Sequence, residues 1–138
     1  MSTRHGDTEA GSSIGLLSEA LTEGIIGAAI EVHQELGPGL LESVYEECMC
    51  QELRLRGIPF FAQVEMPVFY KGRETNGKYR IDLIVADEVV VELKSVERLL
   101  SVHEAQLLTY LKLTGKHVGL IINFNVPVLS RGILRRVR

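Results

Sequence analysis

The sequence predicts an α/β domain in which a mixed central β-sheet is flanked by helices. Two segments with a helical spacing of apolar residues come first, and three runs of β-forming residues follow them. A third helical segment then leads into a short, nearly continuous apolar run, which is typical of a buried strand. Strands joined by short turns pair antiparallel, whereas a helical connection returns the chain parallel by a right-handed crossover, so the sheet is mixed.

Length and composition suit one domain with one core, since the chain has 138 residues and 46% of them are hydrophobic. Residues 1–15 are mostly polar and lack a signal segment, so we expect a flexible tail ahead of a single domain over 16–138. No apolar run is long enough to span a bilayer, and we expect a cytoplasmic protein with no membrane partner. Cys48 and Cys50 are two apart on a predicted helix and do not face each other, which predicts free thiols.

The two leading helices are predicted from spacing and from end signals. The first runs from about Thr22, a candidate N-cap, to Leu36, and Gly37-Pro38-Gly39 ends it. The second covers about 41–56, with Glu42 and Tyr45 on one row of its surface. Because a helix N-terminus favours a carboxylate by itself, Glu42 has either a dipole role or a functional one.

The strands follow the second helix. A first strand is expected over 62–70, with a turn from Lys71 to Gly77. Runs over 80–85 and 89–94, separated by three residues, predict an antiparallel hairpin. A third helix over 96–114 and a buried strand over 117–124 complete the sheet. The last segment, 131–138, concentrates four arginines, which either contact phosphates or form a solvated terminus.

The predicted hairpin brings two acidic residues together. With a three-residue loop, Val85 pairs with Val89 and Asp82 falls opposite Glu92. Strand periodicity places Lys94 on the same face as Glu92. Mixed charges on a solvent-facing hairpin are the simpler alternative, but these strands are largely apolar. Since opposed carboxylates repel each other, the pattern predicts a site for a divalent cation and an activated water.

Further polar residues are expected around this hairpin. On the third helix His103, Gln106 and Tyr110 share one row, which we expect to line the cleft. A structural role is the alternative for all three, and for His103 it is the favoured one. Arg80 shares the face of Asp82 and would be either a phosphate contact or a salt-bridge partner.

Taken in order, these residues resemble the PD-(D/E)XK nuclease superfamily. Its pattern has an acidic residue on an early helix, here Glu42, an Asp in the second core strand, here Asp82, and (D/E)-x-K in the third, here Glu92-Leu93-Lys94. The segment from Gln106 to Tyr110 is similar to the Q-x-x-x-Y motif of the exonuclease-like branch. There the pair helps to place nucleic acid and the catalytic lysine. The namesake proline of the superfamily is replaced by isoleucine in this chain.

A narrower resemblance covers nearly the whole chain from residue 21. The segment Gly39–Tyr45 is similar to the signature of the small GxxExxY proteins, which are assigned to this superfamily. The segments 32–39 and 119–124 also resemble that family. The resemblance adds Tyr45 to the residues expected at the cleft.

The resemblance implies a metal-dependent nuclease. Asp82 and Glu92, with Glu42 as a third or water-mediated ligand and the carbonyl of Leu93 as another, would hold Mg²⁺ or Mn²⁺. Lys94 would orient or deprotonate the attacking water and stabilise charge on phosphorus. The expected partner is nucleic acid, DNA rather than RNA, and the small size of the chain suggests a homodimer.

Net charge keeps a second interpretation open. The formal charge of −3 differs from the basic surface that nucleic-acid binders usually carry. The alternative is a catalytically weak or inactive module that keeps the nuclease fold for binding or assembly. Metal binding by the carboxylates distinguishes the two.

Overall fold

A computed structural model describes residues 6–138, with side chains from residue 18 onward. Its helices are α1 (Gly6–Leu36), α2 (Glu42–Leu55) and α3 (Ser101–Thr114). Its strands are β1 (Phe60–Tyr70), β2 (Arg73–Val85), β3 (Val89–Lys94), β4 (Val118–Asn123) and β5 (Ile133–Val137), and a 3₁₀ helix, Leu129–Gly132, precedes the last. None of the described helices is both long and apolar enough to cross a membrane.

The five strands form one sheet in the order β1-β2-β3-β4-β5. The β3–β4 pair is parallel and is connected through α3, whereas the other neighbouring pairs are antiparallel. One face of the sheet packs on α1 and α2, and the other face packs on α3. This arrangement confirms the predicted α/β fold with a mixed sheet flanked by helices.

The predicted hairpin register is confirmed for the three innermost pairs, from Val85 with Val89 to Leu83 with Val91. The loop between them consists of three residues, as expected, and Ala86 and Asp87 both adopt left-handed backbone conformations, with φ of 51° and 57°. β4 is buried along its whole length and lies parallel to β3, which confirms the predicted parallel pairing. Both cysteines are free thiols.

The first helix extends further towards the N-terminus than predicted. Thr22 is not its N-cap: α1 is already formed at Gly6, and the Thr22 hydroxyl donates to the carbonyl oxygen of Ser18 at 2.5 Å, one turn earlier. The predicted tail over 1–15 falls partly on residues 1–5, which lie outside the described residues, and partly on the first turns of α1. The flexibility and the boundary of that tail stay predictions.

The third helix begins later than predicted, at Ser101 instead of residue 96. The side-chain amide of Asn123 explains the difference, because it accepts a hydrogen bond from the Val96 N–H at 3.0 Å and donates one to the Val96 carbonyl at 2.9 Å. These bonds satisfy the backbone of Val96 without a helix. Asn123 itself is 1% exposed, so its amide requires such partners.

Two other predictions are wrong in detail. The turn after β1 contains only Lys71 and Gly72, with φ of 50° and 80°, and the residues after it belong to β2. Two successive left-handed residues form the tight hairpin turn that matches strand twist, so strand pairing resumes at once. The arginine-rich C-terminus is also a strand, β5, whose apolar residues pack beside β4, while Arg136 forms an ion pair with Glu104 of α3.

Candidate active site

The two carboxylates of the hairpin lie where β2 separates from β3. Backbone pairing between these strands stops at Leu83, one residue after Asp82. Ile81 packs with α3, whereas Leu83 packs with α1 and α2, although strand periodicity would put both on one face. The backbone therefore changes direction at Asp82, and the side chain of Asp82 is directed towards the junction of β2 and β3.

Each acid is held by the backbone of the opposite strand. The N–H of Asp82 donates to Oε2 of Glu92 at 2.8 Å, and the N–H of Leu93 donates to Oδ2 of Asp82 at 2.8 Å. Side-chain carboxylates thus replace the ladder hydrogen bonds that a regular hairpin would form here. Asp82 and Glu92 are neighbours, as the register predicted, and their positions are set by two crossed hydrogen bonds.

Burial raises the free energy of the charged forms of Asp82 and Glu92. Glu92 is only 4% exposed, and desolvation, followed by the negative charge of Asp82, raises its pKa to about 8. Desolvation also raises the pKa of Asp82, to about 6. The positive charge of Lys94, two residues after Glu92 in β3, counteracts the rise in pKa of both carboxylates. Burial therefore favours the protonated form of Glu92 in the metal-free protein.

The donor atoms fit a hard divalent cation. One oxygen of each carboxylate is used by the backbone, and Oδ1 of Asp82 and Oε1 of Glu92 accept no hydrogen bond from any described residue. Mg²⁺ typically takes one or two carboxylates and keeps several waters. Among the described residues, no group of three or more His, Cys, Asp or Glu side chains is close enough to form a complete metal cage. Two carboxylates plus waters are thus the ligand set that this geometry supports.

Two further acids surround the pair. Glu42, the first residue of α2, is exposed, and its charge raises the pKa of both Asp82 and Glu92. Glu46, one helical turn later, raises the pKa of Asp82 more strongly than Glu42 does. Sequence reasoning missed Glu46, although the spacing of four residues from Glu42 places the two on the same side of a helix.

Gln63 is the second residue that sequence reasoning missed. It lies in β1 between the pairs that join Ala62 to Leu83 and Val64 to Ile81, so it stands beside Asp82 in the sheet. Its Nε2 donates to both carboxylate oxygens of Glu46, at 2.7 and 2.8 Å. Its φ of 54° is uncommon for a residue with a side chain and is stored strain. No propensity signals this conformation, so only the structure reveals it.

Of the three polar residues predicted on one row of α3, His103, Gln106 and Tyr110, only some lie near the two carboxylates. Tyr110 is buried, and its pKa is raised to about 12 by desolvation and by the negative charges of Glu92 and Asp82. Tyr110 therefore lies within electrostatic range of both acids, and its role at a cleft stays a prediction. Gln106, one turn earlier, is half-buried. His103 has a structural role, because its Nδ1 accepts the N–H of Leu100 at 3.0 Å and caps α3.

Two other predicted cleft residues have their polar groups engaged elsewhere. Tyr45 is fully buried, its hydroxyl donates to the carbonyl oxygen of Gly37 at 2.5 Å, and its ring stacks on Phe124 with centroids 4.5 Å apart. It holds the loop between α1 and α2. Arg80 lies at the surface in an ion pair with Glu65, with 3.5 Å between the charged atoms.

The family of the chain follows from comparison with known proteins. A family model described as the PD-(D/E)XK nuclease superfamily matches residues 19–137, and the chain belongs to that superfamily. The predicted superfamily is therefore confirmed, whereas membership of the narrower GxxExxY family stays a prediction. No curated protein and no solved structure matches the chain significantly. Nucleases of this superfamily generally use divalent metal ions and act on nucleic acid.

Proposed function

We propose that this protein is a metal-dependent nuclease that hydrolyses phosphodiester bonds of nucleic acid, DNA rather than RNA, with Mg²⁺ or Mn²⁺. The observation that carries the proposal is the buried carboxylate pair at the β2–β3 junction. Each carboxylate is held by the opposite backbone, and each has a raised pKa that the positive charge of Lys94 partly offsets. Burying two acids together costs stability, and a cation is what offsets that cost.

Each residue has a definite role in this proposal. Asp82 and Glu92 would hold the metal ion through their carboxylates, and the carbonyl of Leu93 is a further candidate ligand. Glu42 and Glu46, the two further acids on α2, would accept hydrogen bonds from waters at that ion. A divalent ion bound here lowers the pKa of a coordinated water and polarises a phosphodiester oxygen.

The remaining chemistry belongs to Lys94 and α3. The Lys94 ammonium orients the attacking water and stabilises the negative charge that develops on phosphorus. Tyr110 and Gln106 position Lys94 and the scissile phosphate. A homodimer in the cytoplasm would bring two such sites to one duplex, which is our proposal for a chain of this size.

Cleavage assays test the proposal. Supercoiled plasmid, linear duplex, single-stranded DNA and RNA are incubated with Mg²⁺ or Mn²⁺ and wild type, Asp82→Asn or Lys94→Met. The asparagine variant keeps an acceptor for the Leu93 N–H and loses only charge. Asp87→Asn is the matched control, because Asp87 lies exposed in the loop of the same hairpin. We expect metal-dependent cleavage that is lost in both site variants and kept in the control.

The other outcomes are equally informative. No cleavage of any substrate, together with no Mn²⁺ binding by calorimetry, would overturn the nuclease proposal and leave a binding scaffold. Mn²⁺ binding that disappears in Asp82→Asn, without cleavage of any substrate, would mean that the metal site is real and that the substrate or a partner is missing.

A further inference from the structure

The β1–β2 hairpin extends well beyond the rest of the sheet. β2 pairs with β3 only over Leu83–Val85, whereas its pairing with β1 continues to the turn at Lys71-Gly72. We call residues 66–80, the outer part of this hairpin around its turn, the ribbon. At about 3.3 Å per residue, its tip lies up to roughly 30 Å along the strand from Asp82. The ribbon is therefore a two-stranded arm that starts at the candidate active site.

The ribbon has the opposite charge to the rest of the protein. It contains four basic residues and one acid, a net charge of +3. Because the whole chain has a net charge of −3, all other residues together carry −6. Arg80 is paired with Glu65, whereas Lys71, Arg73 and Lys78 form no ion pair with any described acid. Three cations at an arm of an acidic protein are available to an anionic partner.

Aromatic side chains accompany these cations at the tip. Phe69 is 60% exposed and Tyr70 is 67% exposed, and the ammonium of Lys71 lies 5.5 Å from the centre of the Tyr70 ring. At the other end of the ribbon, the ring of Tyr79 meets Tyr110 edge-on at 5.6 Å. The ribbon thus presents exposed aromatic rings at its tip and contacts the candidate site at its base.

The charge of the ribbon selects its partner. Contact between the ribbons of two copies is disfavoured, because each ribbon carries +3 and the two would repel each other. A nucleic-acid backbone has the opposite charge, and the major groove of B-DNA is about 12 Å wide and admits a two-stranded β-ribbon. Exposed apolar side chains at such a tip can contact base and sugar edges or wedge between base steps.

We propose that the ribbon binds in a groove of duplex DNA, with Lys71, Arg73 and Lys78 at the flanking phosphates and Tyr70 against the base and sugar edges. The inference rests on the proposed nuclease function and assigns its substrate form. Because the ribbon leads directly to Asp82, duplex held along it passes the carboxylate pair. The ribbon is then the element that compensates for the acidic surface of the remaining protein.

The test measures binding separately from cleavage. A fluorescein-labelled 30-base-pair duplex of mixed sequence, and one strand of it alone, are titrated with protein in Ca²⁺ at several salt concentrations. The ribbon variant is Lys71→Asn/Arg73→Gln/Lys78→Gln, since Asn keeps the left-handed turn that Lys71 occupies. The control, Lys112→Gln, removes an exposed charge at α3, and the other possible phosphate contacts of the sequence, at 131–138, are left in place. Thermal unfolding confirms that both variants fold.

We expect the ribbon variant to bind duplex at least about tenfold more weakly, with a salt slope smaller by about 2–3, whereas the control changes the slope by less than about 1. Tyr70→Ser should weaken binding and leave the salt slope unchanged. Equal duplex affinity of wild type and ribbon variant would overturn the inference. Tighter wild-type binding to the single strand than to the duplex would overturn it as well.

The outcome also separates this inference from the function on which it rests. The ribbon variant could bind duplex normally while metal-dependent cleavage is lost in Asp82→Asn. That result would refute duplex binding by the ribbon and support the nuclease function. Absence of binding to duplex and single strand by wild type refutes both.

Discussion

The carboxylate pair makes the stability of the metal-free protein depend on pH in an unusual direction. The pKa of Glu92 is about 8 in the folded state, against an ordinary value of 4.5. Folded protein therefore binds this proton more tightly than unfolded protein does. The contribution to stability is complete below pH 4.5 and is lost as the pH rises through 8, the reverse of the usual behaviour of a salt-bridged carboxylate.

The magnitude follows from the two pKa values. Each pH unit between them costs about 1.4 kcal/mol, so the loss between pH 5.5 and 8.5 is on the order of 3 kcal/mol. The raised pKa of Asp82 acts in the same direction at lower pH. Domains of this size are stable by only about 5–15 kcal/mol, so the effect is a large fraction of the total. A cation at the site should restore most of it.

Urea denaturation at pH 5.5, 7 and 8.5, in EDTA and in Mn²⁺, measures this effect. In EDTA the free energy of unfolding of wild type should fall with pH, and Glu92→Gln should lose most of that fall, because the amide stays neutral. Glu65→Gln, a surface change, should keep it. A wild-type stability that rises over this range in EDTA, or an equal slope in Glu92→Gln, would refute the reasoning.

Two smaller predictions concern the neighbourhood of the site. Gln63→Gly relieves the left-handed strain, so we expect the free energy of unfolding to change by less than about 1 kcal/mol. The same change removes the amide that holds Glu46, so the rate of plasmid cleavage should fall severalfold. Gly132→Ala should lower the free energy of unfolding by about 2–3 kcal/mol, because a Cβ there overlaps the backbone of Asn123. Gly77→Ala, where a Cβ has room, is its control in thermal unfolding, and equal destabilisation of the two would contradict this explanation.

The sequence pattern was sufficient to predict those features that depend only on residues close together in the chain. The β2–β3 register was predictable, because a three-residue loop leaves one pairing that keeps both strands buried. The same register brought Asp82 beside Glu92. The buried parallel strand β4 was equally predictable, since a continuous apolar run after a helix has few other places in an α/β fold.

Contacts between distant segments decided the features that the pattern missed. β5 is rich in arginine and is a strand because β4 offers an unpaired edge beside it. The start of α3 depends on Asn123, which is more than twenty residues away in sequence and satisfies the backbone of Val96. Propensity describes one segment at a time and contains no information about such partners.

By itself, the sequence determined the fold class, the superfamily motifs and the acids that face each other in the hairpin. The tertiary structure alone decided how those acids are held and what surrounds them. It places Glu46 and the strained Gln63 beside Asp82, buries Tyr45 under a loop, and extends the ribbon from the site. The physical reason is that pairing within a hairpin is local, whereas burial, pKa and left-handed strain arise from several elements packed together.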